Sequence, residues 1–300
     1  RRYVKEEPNL RIAPIPAIFF RTLRRLIREH DLILLVEGST YMDTWTSALL
    51  WFFLWAAHCA HAMGKPCLAY AVDAGDVSPL NRKLVQLVAS KTDLIITRTG
   101  TAAERLKTLG VSAPIEVTAD TAFTYRTNPS DNAFIQDVWP ENSTGIAGIA
   151  AVDFYLWPVV IRLWDQRRYC YKWPYYFSHS TERRRSADTL ATVLAAAADR
   201  IIEKHDKSVA LICMEELDEP LAQKIMHYLK NTSRAKIFSS RRYTASQMTI
   251  LLRSLELLVT SRFHAGVLSL AAQVSQTAVG HDRRLEDFYR DLGLPEFFIG

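Results

Sequence analysis

The chain has 300 residues, 49% of them hydrophobic and 23% charged, an ordinary globular composition whose length suits two domains. Its 37 basic and 32 acidic side chains give a net charge of +5. That bias suits anionic substrates or a phospholipid surface and is too small to argue nucleic acid, for which no motif is visible. Four cysteines without paired metal spacing or a dense disulfide pattern read as buried thiols of a reducing, cytoplasmic compartment.

The first residues, Arg1-Arg2-Tyr3, carry no methionine, and nothing before Asp31 reads as a strand with a glycine-rich turn. A first βα unit is therefore expected to be missing from this part. A continuous apolar run at 32–36 ends in Glu37-Gly38-Ser39-Thr40. The longest apolar run, 48–57, falls short of the ~18 residues of a spanning helix and reads as a buried or interfacial helix. On it His58, Cys59 and His61 lie close together, but no third ligand shows motif spacing, so no metal is expected. A strand at 67–72 ends in Asp73-Ala74-Gly75-Asp76, and one at 94–97 ends in Arg98-Thr99-Gly100. Thr101 is placed to cap a helix over 102–109, with Gly110 closing it. A further strand at 115–118 ends in Ala119-Asp120.

Between 126 and 142 the periodicity lapses into Asn-Pro-Ser-Asp and Trp-Pro-Glu-Asn, which reads as an inter-domain linker. A second series of strands follows at 145–152, 209–213, 235–238, 257–260 and 277–280. Continuous apolar strands separated by helices mean parallel sheets covered on both faces. The expected fold is α/β, two Rossmann-like domains facing a central cleft, with residues 1–130 in the N-terminal domain and 131–300 in the C-terminal one.

The residues with most chemistry follow two late strands. Thr260 and Ser261 lead into Arg262 and His264 at the start of a helix, and the next strand ends in His281-Asp282-Arg283-Arg284. Open α/β sheets hold ligands at the carboxyl ends of their strands, and free N–H groups at a helix start attract anions. Guanidiniums and an imidazole converging there describe a pocket for a small, multiply charged anion. Arg98, at the end of an earlier strand, is a further candidate. At the ends of the first strands, Glu37, Asp73 and Asp76 are placed either to take a proton from an acceptor hydroxyl or to cap the next helix, with Asp73 ahead. Between 154 and 177, rings including Trp157, Trp164 and Trp173 are interleaved with Arg162, Arg167, Arg168 and Lys172. Sugar stacking, a membrane-interface patch and plain packing compete to explain them.

The order of several short segments resembles the polysaccharide pyruvyl transferase family, whose two-domain fold is like that of GT-B glycosyltransferases. Gly64-Lys65-Pro66-Cys67 is similar to the family's GKP strand entry. Ile95-Ile96-Thr97-Arg98 with Leu109-Gly110-Val111, Asp120-Thr121-Ala122-Phe123, and Ser261-Arg262-Phe263-His264-Ala265 are similar to three further signatures. Asp282-Arg283-Arg284 stands where the family has YDxK. The chain departs from the family at Glu37-Gly38-Ser39, where many members carry three glycines, and at 73–76, where many carry a GxGP turn.

The resemblance implies transfer of the enolpyruvyl unit of phosphoenolpyruvate onto a glycan or lipid-linked sugar as a ketal, phosphoenolpyruvate being a co-substrate and no cofactor being needed. It implies His264 as proton donor, Arg98, Arg262, Arg284 and Arg283 on the donor, and an acceptor side in the N-terminal domain with Glu37, Ser39 and Asp76, while Trp157 and Trp173 of the aromatic stretch are the candidates to stack on the acceptor sugar. The competing readings are a GT-B glycosyltransferase using a nucleotide sugar and a non-catalytic member of glycan assembly. Peripheral contact with the inner face of the membrane and homo-oligomerisation stay open.

Overall fold

The structure, a computed structural model, describes residues 9–44, 46–142, 144–154, 159–280 and 283–300. Helix α1 (Phe20–Arg28) aligns Leu23 and Ile27 on one buried stripe. Strands β1 (Ile33–Leu35) and β2 (Cys67–Val72) flank α2 (Ser47–Ala62), where the Thr46 hydroxyl accepts the Leu49 amide at 3.1 Å as an N-cap. The apolar run does not stop at His58: Cys59 and Ala60 are buried too, and the helix continues until Gly64 turns the chain at φ +63°. Then come α3 (Pro79–Ala89), β3 (Leu94–Thr97), α4 (Gly100–Thr108) and β4 (Ile115–Val117). Gly110 takes φ +78° just past α4, as its place in the sequence predicts.

The second series opens with α5 (Phe134–Val138) and β5 (Ile146–Ala150). Three short strands follow, β6 (Val160–Ile161), β7 (Cys170–Lys172) and β8 (Tyr175–Tyr176). The rest alternates: α6 (Thr181–His205), β9 (Ser208–Cys213), α7 (Glu219–Tyr228), β10 (Ala235–Ser239), α8 (Ala245–Arg253), β11 (Leu257–Thr260), α9 (Phe263–Leu270), β12 (Ser275–Val279), α10 (Arg283–Asp291) and β13 (Phe298–Ile299).

Two compact units result. The first comprises Arg1–Thr97, Ala102–Glu116 and Ile161–Tyr176, the second Arg98–Thr101, Val117–Val160 and Phe177–Gly300. In the first unit a four-stranded sheet runs β1-β2-β3-β4, with β1–β2 and β2–β3 parallel. Its core gathers Tyr41, Leu50, Val72, Ile95 and Leu106. A three-stranded sheet, β6-β8-β7, takes up much of the aromatic stretch.

In the second unit six strands run β10-β9-β5-β11-β12-β13, every neighbouring pair parallel. Every residue of β5 and β9 is buried, so the sheet is covered on both faces, as continuous apolar strands require. Along β9, Val209, Leu211 and Cys213 face the cluster that includes Ala191, Ala195 and Ile202 of α6, while Ala210 and Ile212 face Met248, Leu251 and Leu252 of α8. The first strand of this unit, β5, lies in the middle: β9 and β10 build outward on one side and β11 to β13 on the other. The order therefore reverses between β5 and β11, the place where doubly wound sheets bind ligands.

The stretch read as a linker, 126–142, is part of this unit. Phe134 and Trp139 are buried, and their rings lie 6.2 and 5.8 Å from that of Phe238. The Asn128 amide donates to Ser246 Oγ at 2.8 Å. Two large rings under a five-residue helix outweigh the turn-like sequence around them.

Among the described residues, no helix is long and apolar enough to cross a membrane.

Candidate functional site

The turn from β11 into α9 is held tightly. The Thr260 hydroxyl accepts the Arg262 amide at 2.9 Å and donates to Arg262 O at 3.0 Å, and the Ser261 amide reaches Ala150 O of β5 at 2.8 Å. Arg262 becomes the N-cap residue without a capping side chain, and His264 falls in the first turn of α9. The neighbouring strand β12 leads to α10, whose first turn holds Arg283 and Arg284. Two helix starts thus stand over adjacent strands beside the switch point, and each puts cations where the helix dipole disfavours them. Such an arrangement is relieved by an anion. Gly280 allows the loops to close up: a Cβ there would stand 3.2 Å from Phe154 Cζ.

Carboxylates already anchor two of the arginines. Arg98 Nη1 donates to Asp120 Oδ2 at 3.0 Å, with both side chains almost fully buried (3% and 6% exposed). The guanidinium also lies 3.9 Å from the centre of the Phe263 ring. Arg262 donates through Nε to Asp218 Oδ2 at 3.0 Å and through Nη2 to Asp218 Oδ1, and its Nη1 lies 3.1 Å from Glu215 Oε1. Glu215 and Asp218 are themselves locked in a capping box at the exit of β9. The acidic cluster after Cys213 therefore holds Arg262 in place. Glu256, close by in sequence, pairs instead with Lys207 at 2.6 Å.

His264 is exposed, with Nε2 4.0 Å from Asp120 Oδ2. Partial desolvation by the surrounding protein depresses its imidazole below the usual range; Asp120 opposes this, and Arg98 and Arg284 push it further down. Burial pushes the Asp218 carboxyl above the ordinary range, with Arg262 opposing. Burial also lifts the Cys213 thiol to about 12, so it is no nucleophile at neutral pH.

The second unit thus brings together Arg98, Arg262, His264 and Arg284, with Arg283 exposed in the same turn as Arg284. Asp120, Glu215 and Asp218 complete the cluster. Of these, Asp120 stood in a segment already noted in the sequence, although nothing there showed that it touches Arg98.

Glu37, Ser39, Asp73, Asp76 and Trp173 lie in the first unit. A bridge pairs Tyr41 with Ala74 and ties the exits of β1 and β2 together. Glu37 is exposed and accepts the Ser39 amide at 2.6 Å, while Ser39 is buried. Asp73 is fully enclosed, its carboxylate accepting the Ala74 amide at 2.9 Å, and Asp76 just beyond it is exposed. Trp173, in the turn between β7 and β8, is 55% exposed and donates to Leu163 O at 3.3 Å. Trp157 lies outside the described residues, as do His281 and Asp282.

Comparison with known proteins agrees with this architecture. Among solved structures, the chain is similar to a Listeria monocytogenes protein assigned as a UDP-N-acetylglucosamine 2-epimerase (TM-score 0.57, 15% identity, 93% of this chain and 67% of that one). It is also similar to Anabaena Alr3699/HepE in complex with UDP (TM-score 0.53, 12% identity, 95% and 71%). A third is the Neisseria meningitidis UDP-GlcNAc 2-epimerase bound to UDP-GlcNAc (TM-score 0.52, 11% identity, 93% and 73%). At these identities the likeness is one of fold, and the fold is α/β and GT-B-like. No curated protein matches the chain by sequence. Residues 2–283 match the sequence profile of the family described as polysaccharide pyruvyl transferase, and the chain belongs to that family.

Proposed function

We propose that this transferase moves the enolpyruvyl unit of phosphoenolpyruvate onto a glycan or lipid-linked sugar as a ketal, releasing phosphate. The observation that carries the reading is the pair of helix starts at the switch point, His264 on α9 and Arg284 on α10. Their amides and charges suit a phosphate and a carboxylate on one small molecule.

Three guanidiniums (Arg98, Arg262, Arg284) stand against three carboxylates (Asp120, Asp218, Glu215), with Arg283 exposed beside them, so the cluster carries little net charge while His264 is neutral. Binding a multiply charged anion then calls for a proton, and His264 is the group in position to take it. Asp120 holds Arg98 and faces the imidazole, which makes it a positioning residue for both.

In the reaction the protonated imidazole gives its proton to the donor's methylene carbon, and positive charge develops at the carbon bearing the phosphate. A sugar hydroxyl forms a bond to that carbon, the bond to the phosphate oxygen breaks, and a second hydroxyl closes the ketal. The hydroxyl protons pass to a base on the acceptor side. Of the carboxylates that the sequence offers as bases, Glu37 and Asp76 are exposed and Asp73 is enclosed.

The test is to incubate the protein with phosphoenolpyruvate and a panel of glycans and lipid-linked sugars, following phosphate release together with the mass gain of one pyruvyl ketal. Both should appear together and vanish in His264→Ala. Consumption of a UDP-sugar without phosphate release from phosphoenolpyruvate would replace this reading with a glycosyltransferase.

A further inference from the structure

The aromatic stretch is not absorbed by the site. Its small sheet turns Cys170 and buried Tyr176 inward as a cross-strand pair. The Arg162 amide donates to Pro174 O at 2.9 Å and Trp173 Nε1 to Leu163 O at 3.3 Å. These bonds bring the loop after β6 and the turn between β7 and β8 to one end of the sheet. There Leu163 is 62% exposed, Trp164 82% and Trp173 55%, with Tyr171 on the adjoining strand 53% exposed. More than half of each of these four side chains faces solvent, and exposed apolar groups gathered in one place mark an interaction surface.

Charge decides the partner. Arg167 and Arg168 are exposed, and Arg168 lies 4.6 Å from the centre of the Tyr169 ring. Asp165, the acid of the stretch, is already paired with Arg162. The surface is thus apolar at its tip and cationic beside it.

We propose that this tip docks on an anionic phospholipid bilayer, its rings at the headgroup boundary and the two arginines against lipid phosphates. Tryptophan and tyrosine suit that boundary because each has an apolar body and a polar N–H or O–H. Apolar contact and charge together give reversible anchoring where either alone is marginal. The surface lies in the first unit and is independent of the pyruvyl reading.

Co-sedimentation of the intact protein tests it, using vesicles of phosphatidylcholine alone and of phosphatidylcholine mixed equally with phosphatidylglycerol. Binding is expected to the mixed vesicles and to weaken as salt is added. Arg167→Gln and Arg168→Gln should each weaken it about five-fold, the equivalent of roughly 1 kcal/mol per surface charge. Quenching of tryptophan fluorescence by brominated lipid should fall in Trp164→Ser. Since Trp164 is 82% exposed, that variant should melt with the wild type. Absence of binding to anionic vesicles at low salt would overturn the proposal. So would unchanged binding by the folded Trp164→Ser/Arg167→Gln/Arg168→Gln variant, or perturbation of the rings by a soluble glycan and not by vesicles.

Discussion

Replacing Arg98 by methionine should expose the double nature of its pairing with Asp120. The two side chains are 3% and 6% exposed, so removing the guanidinium leaves a carboxylate enclosed with the Ala122 amide still bound to its other oxygen at 2.8 Å. Breaking a buried pair from one side costs about 3–5 kcal/mol. The lost contact with the Phe263 ring, at 3.9 Å, adds about 0.5–2 kcal/mol. For a unit of this size the pair term alone lowers the melting temperature by roughly 6–20 °C.

The double variant Arg98→Met/Asp120→Asn keeps an oxygen for the Ala122 amide and removes both charges. It should regain at least about 2 kcal/mol over the single variant, the coupling expected of groups in contact. Urea unfolding followed by circular dichroism measures both. A single-variant cost below about 1 kcal/mol, with a double variant equal to the sum of the singles, would refute the buried pair. If the double variant is stable yet binds no phosphoenolpyruvate, Arg98 serves the ligand as well as the fold.

Three further outcomes follow from the same geometry. Arg262→Met strands Asp218, which is 2% exposed, and should cost about 3–5 kcal/mol, with Arg262→Lys in between because an ammonium cannot grip both oxygens. That cost should diminish at lower pH, since the Asp218 carboxyl is already raised by burial. Because the His264 imidazole is depressed in the empty protein and a bound anion raises it, phosphoenolpyruvate binding near neutral pH should take up a proton. Calorimetry in buffers of different ionisation enthalpy reads this directly; heats independent of buffer would contradict it, and His264→Gln should abolish the effect. Gly148→Ala puts a Cβ 2.5 Å from Leu255 Cδ1 in the middle of β5 and should cost about 1–3 kcal/mol by overpacking.

Much of the second unit was legible because its strands are short, continuous and apolar, and each ends in polar residues that cannot stay in the sheet. The placement of Arg262, His264 and Arg284 at one carboxyl edge followed from that pattern. Their partners did not. Asp218 meets Arg262 across 44 positions of sequence, and the contact exists because β9 and β11 both flank β5. Asp120 meets Arg98 across 22 positions because the two follow the neighbouring strands β4 and β3. Two cations of the expected pocket, Arg98 and Arg262, are consequently anchored by carboxylates. Phe134 and Trp139 were hidden for a different reason, being set among Asn, Pro and Glu where local chemistry reads as a turn. For the rings of 154–177, the sequence showed an unusual composition but not which of them would face solvent.

Isothermal titration of phosphoenolpyruvate into the wild type and Arg284→Ala, with UDP as the control ligand, bears most directly on the donor site. Saturable binding of phosphoenolpyruvate to the wild type, lost in Arg284→Ala and absent for UDP, is the result that two cationic helix starts at the switch point predict. Saturable UDP binding with no response to phosphoenolpyruvate would contradict it.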